Sequence, residues 1–507
     1  MQTFETRDRF RPYTSEESFA KIVEYPTVTV MWRHCASAYA GQPAIIDEGV
    51  THTFAELEKD AAAFRTVLRK AGLKKGDRVA LFIPNSYQFV KALIAVTTSG
   101  MTAAVLPAQL DDKSVFGCCM KFGVRALVYD PVFEEKIEFA KSHLPQVACL
   151  SAGEAGAVLT PPTETDASDP CLIMFTGGTT GKSKGALLSN EAVMQGTVNG
   201  CYGVWDIFGQ RYLLILPLSH VFGLIRNLMT SLYTGSALYV CRNNKDMFRD
   251  IAVFRPTILV AVPALAEMAL ALSRKFGKNM LGEDLKTIIC GAAAVPPYLS
   301  EAYKEFGIRL LPGYGLTESA NLVSGNPETE AKPDSVGIPY PHQSFRIVNG
   351  ELWLKGKNML TEYVGEPEEN ANAFEDGWFK TGDLVRMDDD GFLYITGRIK
   401  EVIVLPSGEN ISPAEVEAKF NELPLVADSQ VFEDLDDNGH RILALEVVPR
   451  LSELARIPSE DQSAVLTKAL EEVNRTLPPY ERVNRITVRD TDFARTPSMK
   501  IVRYHRV

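Results

Sequence analysis

Residues 78–83 read Arg-Val-Ala-Leu-Phe-Ile, and residues 88–96 read Gln-Phe-Val-Lys-Ala-Leu-Ile-Ala-Val. The first is a short apolar run between Gly76-Asp77 and Pro84-Asn85, the pattern of a buried strand, and the second reads as a helix. Upstream, Thr53-Phe-Ala-Glu-Leu opens a helix-period stretch to Leu68, with Thr53 as N-cap and Glu56 as its capping-box partner. Strand-like runs recur at 126–129, 212–216, 257–262 and 286–290, with helical patterns between them. This alternation predicts an α/β fold of layered subdomains with parallel strands. From residue 335 the texture changes to short strands between Gly and Asp turns (345–348, 351–355, 391–395), which predicts a small β-rich unit over 335–397. Asp388-Asp-Asp390 reads as a solvated acidic turn within it. Beyond Lys400 a compact α+β piece is expected: strand 401–405, a helix from Pro413, strands 429–432 and 442–447, a helix to Leu477 and strand 486–488. The main domain boundary falls at Gly397–Glu401, giving a large N-terminal domain over 1–397 and a smaller C-terminal domain over 401–507.

A chain of 507 residues is too long for one ordinary core and suggests roughly two to four domains or subdomains. Apolar residues at 46% and charged residues at 23% are the composition of a globular protein. A net charge of −11 without a long basic run argues against nucleic acid as a partner. The eight cysteines show neither C-x-x-C nor zinc spacing, so they read as free thiols in a reducing compartment. Residues 1–25 lack the apolar core of a secretion signal. The longest apolar stretches, 92–110 and 251–272, are interrupted by Pro107 and by Arg255, Pro256, Pro263 and Glu267. A cytoplasmic location without integral membrane association is therefore expected.

Phe175-Thr-Gly-Gly-Thr-Thr-Gly-Lys-Ser-Lys-Gly185 follows the apolar run Cys171-Leu-Ile-Met-Phe175. Glycines allow close approach, and backbone amides, hydroxyls and lysines together suit a polyphosphate. The loop is not a Walker A motif. G-x-x-x-x-G-K-[ST] needs a glycine five residues before Gly181, and position 176 is Thr.

Further motifs follow in order: Pro217-Leu-Ser-His-Val-Phe-Gly223, Gly313-Tyr-Gly-Leu-Thr-Glu318, Phe379-Lys-Thr-Gly-Asp383, Gly397-Arg-Ile-Lys400 with Gly408-Glu-Asn-Ile-Ser-Pro413, and Thr496-Pro-Ser-Met-Lys-Ile-Val-Arg503. With the 175–185 loop, this ordered set resembles the adenylate-forming superfamily, which includes acyl-CoA synthetases, peptide-synthetase adenylation domains and beetle luciferases. The resemblance covers nearly the whole chain. It implies an AMP-forming carboxylate–CoA ligase acting on a fatty or aryl acid, with ATP, Mg2+ and coenzyme A, and a C-terminal domain that rotates between two half-reactions.

The resemblance also implies residue roles. Thr176, Gly177, Gly178, Thr179, Thr180, Gly181 and Lys184 would hold the β- and γ-phosphates. Thr317 would donate to the α-phosphate, Glu318 would hold Mg2+, and Tyr314 would offer a flat face to adenine, with Gly291, Ala292 and Gly315 beside the nucleotide. Asp383 would accept from both ribose hydroxyls with Arg398 nearby. Lys500 would bridge the incoming carboxylate and the α-phosphate. Residues 398–400 would form the hinge around Lys400, His220 would gate the carboxylate pocket, and Gly408 would lie on the pantetheine path. This chemistry needs no general base, because a carboxylate is already ionised at neutral pH; it needs positioning and charge stabilisation.

Departures from the pattern are Gly177 for Ser, Ser183 for Pro, Met499 for the glycine before the catalytic lysine, and Leu405-Pro-Ser-Gly408 for paired glycines. The 217–223 stretch carries no acid to pair with an α-ammonium, which disfavours an α-amino acid. The expected pocket wall (Phe222, Leu224, Val262, Ala292, Ala293, Gly315) is apolar or small. Arg226 is the exception on that wall: it either snorkels outward or pairs structurally, or else meets a second carboxylate on the substrate. Two other functions compete, transfer of the acyl group to a carrier-protein phosphopantetheine and a catalytically silent nucleotide-binding protein. Intact Glu318, Asp383, Arg398 and Lys500 argue against the latter.

Overall fold

The structure is a computed structural model that describes residues 2–3, 7–176, 184–404, 410–436, 440–495 and 501–503. The alternation seen in the sequence builds two sheets. In one, seven strands among the described residues lie in the order Glu362–Tyr363, Lys184–Ser189, Pro170–Thr176, Thr102–Val105, Arg78–Phe82, Ala126–Tyr129 and Ala148–Ser151. The five from Pro170–Thr176 onward are parallel, and the first two are antiparallel additions at one edge. Val79 and Leu81 face a core shared with the second sheet, while Ala80 and Phe82 face another core beneath the helices Asp112–Phe122 and Glu134–His143. Both faces are covered, so the strand is apolar at successive positions rather than alternating.

The second sheet holds nine strands among the described residues, and its six inner ones are parallel: Arg309–Tyr314, Thr287–Cys290, Ile258–Ala261, Arg211–Leu214, Ala237–Val240 and Pro43–Asp47. Short antiparallel strands close its ends. Helix Phe54–Lys70 starts with both halves of the predicted capping box, the Glu56 N–H donating to Thr53 Oγ1 at 3.2 Å and the Thr53 N–H to Glu56 Oε2 at 2.8 Å. Helix Tyr87–Thr97 is buried along its length, which explains its lack of a polar face.

The β-rich unit is an antiparallel sheet of Gln343–Val348, Glu351–Gly356, Trp378–Met387 and Leu393–Arg398, with short edge strands, around Val323, Phe345, Leu352, Leu354, Val385 and Leu393. Its acidic turn is more ordered than the sequence suggests. Asp388 accepts from Lys332 Nζ at 2.6 Å and Tyr394 Oη at 3.0 Å, and from the Phe392 N–H at 2.9 Å. Burial works against its ionisation, but Lys332 and the donors around it outweigh that and bring its carboxyl down to about 2. The turn is a pinned corner, and only Asp389 and Asp390 are exposed.

Beyond it, strands Val426–Leu435, Arg441–Pro449 and Arg485–Val488 pack with helices Pro413–Asn421 and Gln462–Thr476 around a separate core that includes Phe420, Val431, Leu445 and Leu470. The strand expected at 401–405 is shorter: Ile399–Glu401 is a 3-10 turn, and Ile403–Val404 pairs with Asn410–Ile411. Side-chain contacts tie this unit to the rest. Ser412 Oγ donates to the Thr396 carbonyl at 2.6 Å, and Arg450 Nη1 to Tyr298 Oη at 3.1 Å, with Tyr298 Oη in turn donating to Glu267 at 2.5 Å.

Candidate active site

The 175–185 loop joins two antiparallel strands. Thr176 stands opposite Lys184, and Phe175 opposite Gly185. A Walker loop leads from a strand into a helix, whereas the element after this loop is another strand, which gives the failed motif match a topological reason. Gly177, Gly178, Thr179, Thr180 and Gly181, with Gly408 and Lys500, lie outside the described residues.

Strand Arg309–Tyr314 ends beside the β-rich unit, and there the Tyr314 hydroxyl donates to Asp383 Oδ2 at 2.5 Å. Asp383 is fully buried in Trp378–Met387 and stands in register with Arg398, whose Nε lies 2.7 Å from Asp383 Oδ1. Its own N–H donates to Thr381 Oγ1 at 3.0 Å. Burial, and next the Asp383 charge, push the Tyr314 hydroxyl well above the ordinary tyrosine range, so it remains a donor. For Arg398 burial acts against the charge, but Asp383 and Tyr314 outweigh it, and its pKa stands above the usual value.

After Tyr314 the chain passes Gly315 into the turn Thr317–Ser319. The turn is fixed by the Leu316 N–H donating to Ser319 Oγ at 3.0 Å, and Ala320 and Asn321 then adopt φ values of 48° and 86°. A side chain at Gly315 would overlap the Asn321 carbonyl, so this return of the chain requires glycine. Thr317 is buried and Glu318 half-buried. Tyr363 Oη donates to Glu318 Oε1 at 2.8 Å, and the Lys184 ammonium sits over the Tyr363 ring, 5.1 Å from its centroid. Lys184 also pairs with Glu369 of helix Pro367–Ala373. Burial pushes the Glu318 carboxyl up, while backbone and Tyr363 hydrogen bonds hold it down.

The motifs did not point to Tyr363 or Glu369. Pro367-Glu-Glu369 has the ordinary look of a helix start, proline first with acids in the first turn. Its partner Lys184 is 185 residues away in the chain, so no local spacing could reveal the pair. The tyrosine sits on a two-residue edge strand held by Asn370, whose Oδ1 accepts from the Tyr363 N–H at 2.7 Å. If Glu318 acts as the resemblance implies, Tyr363→Phe is expected to lower activity by roughly 10- to 100-fold, the worth of a hydrogen bond to a charged group. Because Tyr363 stabilises the ionised carboxylate, its loss raises the Glu318 pKa further. Activity then fails at a higher pH as acid is added, and a pH–rate profile whose acid limb does not move would contradict this.

The remaining predicted positions are more dispersed. His220 Nδ1 accepts the Phe222 N–H at 3.3 Å, which leaves the proton of the neutral ring on Nε2. Ala292 holds φ at 68°, a left-handed conformation costly for a residue with a Cβ, just after Gly291, where an added Cβ would lie 3.2 Å from the Gly313 carbonyl. Lys400 is exposed on its 3-10 turn. Phe222, Leu224 and Val262 are buried, while Ala293 is exposed. Arg226 does not snorkel outward: it is 2% exposed, one turn beyond Phe222 on the π-helix Phe222–Met229. Among the described residues no cluster of three or more His, Cys, Asp or Glu could hold a metal ion. Among the described residues no helix is long and apolar enough to cross a membrane.

A family model described as AMP-binding enzyme matches residues 32–364, and one described as AMP-binding enzyme C-terminal domain matches residues 400–506. The chain is 29% identical to a feruloyl-CoA synthase of Amycolatopsis sp, covering 80% of this chain and 85% of that protein. It is 30% identical to a long-chain-fatty-acid–CoA ligase of Salmonella typhimurium, covering 78% and 80%, and 31% identical to an oxalate–CoA ligase of Arabidopsis thaliana, covering 81% and 85%. An o-succinylbenzoate CoA synthetase of Bacillus subtilis, solved with its acyl-adenylate, aligns over 95% of this chain and 98% of its own with TM-score 0.78 at 26% identity. An anthranilate CoA ligase solved with anthranoyl-AMP shares the fold, with TM-score 0.83 at 20% identity over 94% and 96% of the two chains. The chain belongs to the AMP-binding enzyme family, in the adenylate-forming superfamily that its motifs resemble, and is an AMP-forming acid–CoA ligase.

Proposed function

We propose that this enzyme activates a fatty or aryl carboxylic acid in two half-reactions. A carboxylate oxygen attacks the α-phosphorus of ATP, the bond to the β-phosphate oxygen breaks, and pyrophosphate leaves. The CoA thiol, losing its proton, then attacks the acyl carbon, forming the thioester and releasing AMP. The observation that carries this reading is the arrangement of two polar clusters around one turn. Tyr314, Asp383 and Arg398 stand on one side, and Glu318, Tyr363 and Lys184 on the other, with only Gly315–Thr317 between Tyr314 and Glu318.

In this reading Asp383 receives the ribose hydroxyls, with its orientation fixed by Tyr314 and Arg398. Thr176 and Lys184 flank the loop that holds the β- and γ-phosphates. Glu369 holds Lys184 until phosphate replaces it. Mg2+ held at Glu318 would supply charge neutralisation on the phosphates. Lys500 brings a cation to the reacting oxygens, His220 borders the acid pocket, and residues 398–400 carry the rotation of a C-terminal domain over 401–507 past Gly408. The buried, apolar Phe222, Leu224 and Val262 support an acyl or aryl chain. The eight free cysteines support a reducing, cytoplasmic setting. The test is AMP release over a panel of acids, with and without CoA and then with a phosphopantetheinylated carrier protein. Release that never responds to CoA overturns the ligase reading, and a response to the carrier alone identifies the carrier as acceptor.

A further inference from the structure

Arg226 is a 2% exposed cation on the helix of the expected pocket wall, and its Nη1 has no hydrogen-bond partner among the described residues. Uncompensated burial of a guanidinium is costly, and such groups are normally paired. The groups named in its field, Cys201, Tyr212 and Tyr340, are uncharged. The Arg226 charge opposes the rise that burial gives the Tyr212 and Tyr340 hydroxyls, which stand at about 12, so both lie within its field. The Tyr212 hydroxyl also lies within hydrogen-bonding reach of the guanidinium, as a neutral partner. Neither phenol can neutralise a cation at physiological pH, and no ion pair of Arg226 occurs among the described residues.

The residues around it link it to the expected wall of the acid pocket. Phe222, one turn earlier on the same π-helix, comes within 3.6 Å of where a Cβ at Gly291 would stand. Gly291 backs onto the Gly313 carbonyl, Gly313 pairs with Gly325, and a side chain at Gly325 would overlap the Tyr340 hydroxyl. A run of close-packed glycine contacts thus connects Phe222, on the expected pocket wall, with Tyr340 and Arg226.

We propose that the acid carries a second carboxylate at its far end, and that this group pairs with Arg226. The inference rests on the ligase reading and names its substrate class: an acid with two carboxylates, one activated and one held. Binding supplies the partner that the fold withholds, and a monoacid would leave the guanidinium desolvated and unpaired.

The experiment is acid-dependent AMP release by the full-length enzyme with α,ω-dicarboxylic acids, their mono-methyl esters and monoacids of equal length. The best diacid should exceed its half-ester in kcat/KM by about 100-fold, the usual scale for truncating one partner of a buried charge pair. In Arg226→Met that ratio should collapse toward unity through KM, and in Arg226→Lys it should recover in part. If Arg226→Met does not fold, the wild-type ratio of diacid to half-ester decides alone. Wild-type preference for monoacids, or a ratio unchanged by Arg226→Met, overturns the inference and leaves the ligase standing. Absence of release with every acid overturns both.

Discussion

Asp383→Ala is expected to lower kcat/KM for ATP by about 1,000-fold or more, because two charge-assisted hydrogen bonds and the proposed ribose contacts vanish together. The carboxylate is fully buried between the Tyr314 hydroxyl and the Arg398 guanidinium. Removing it strands a cation and a phenol, and breaking a buried pair on one side costs about 3–5 kcal/mol; half-exposed Arg398 can recover part of that from water. Asp383→Asn separates function from folding. The amide oxygen can still accept from Tyr314, so melting should shift less than in Asp383→Ala, while ATP-dependent pyrophosphate exchange should remain severely reduced. If Asp383→Asn binds ATP with wild-type KM, Asp383 does not hold the ribose.

Gly315→Ala should be nearly as damaging for a different reason. The added methyl group would occupy the position of the Asn321 carbonyl, backbone against backbone, with no flexible side chain to yield. Separating the two segments displaces the turn Thr317–Ser319 between them and with it Thr317 and Glu318. Overpacking of this kind costs about 3 kcal/mol, and a shift of about 1 Å in catalytic groups costs about 100-fold in rate. Thermal melts and pyrophosphate exchange measure the two effects separately. Wild-type exchange in a folded Gly315→Ala protein would show that the turn tolerates displacement.

Much of this architecture could be read from the residues. Strand 126–129 lies at its expected bounds, because apolar runs closed by Gly, Pro and Asp leave little freedom in a sheet covered on both faces. The capping box at Thr53 was legible for a similar reason, since both partners lie within one helical turn. Contacts between distant segments were not legible. Lys184 finds Glu369, and Glu318 finds Tyr363, only through the placement of an edge strand and a short helix whose own sequences look ordinary. Arg226 shows the same limit: its position on a helical face was evident, but its burial depends on what packs around the π-helix. Asp388 looked solvated because Lys332 is distant in sequence.

The antiparallel pairing of Thr176 with Lys184 has an electrostatic consequence. A loop that opens a helix draws anions with a fixed array of aligned peptide dipoles. Here the chain returns along its own sheet, and strand dipoles largely cancel. In the proposed reading, attraction for the nucleotide would then come from discrete charges such as Lys184 rather than from a helix end. Charges of that kind are shared with the surrounding electrolyte, whose screening length is about 8 Å at physiological salt. If the loop holds the nucleotide as proposed, capture at this end of the molecule should therefore depend on salt more than it would at a helix end.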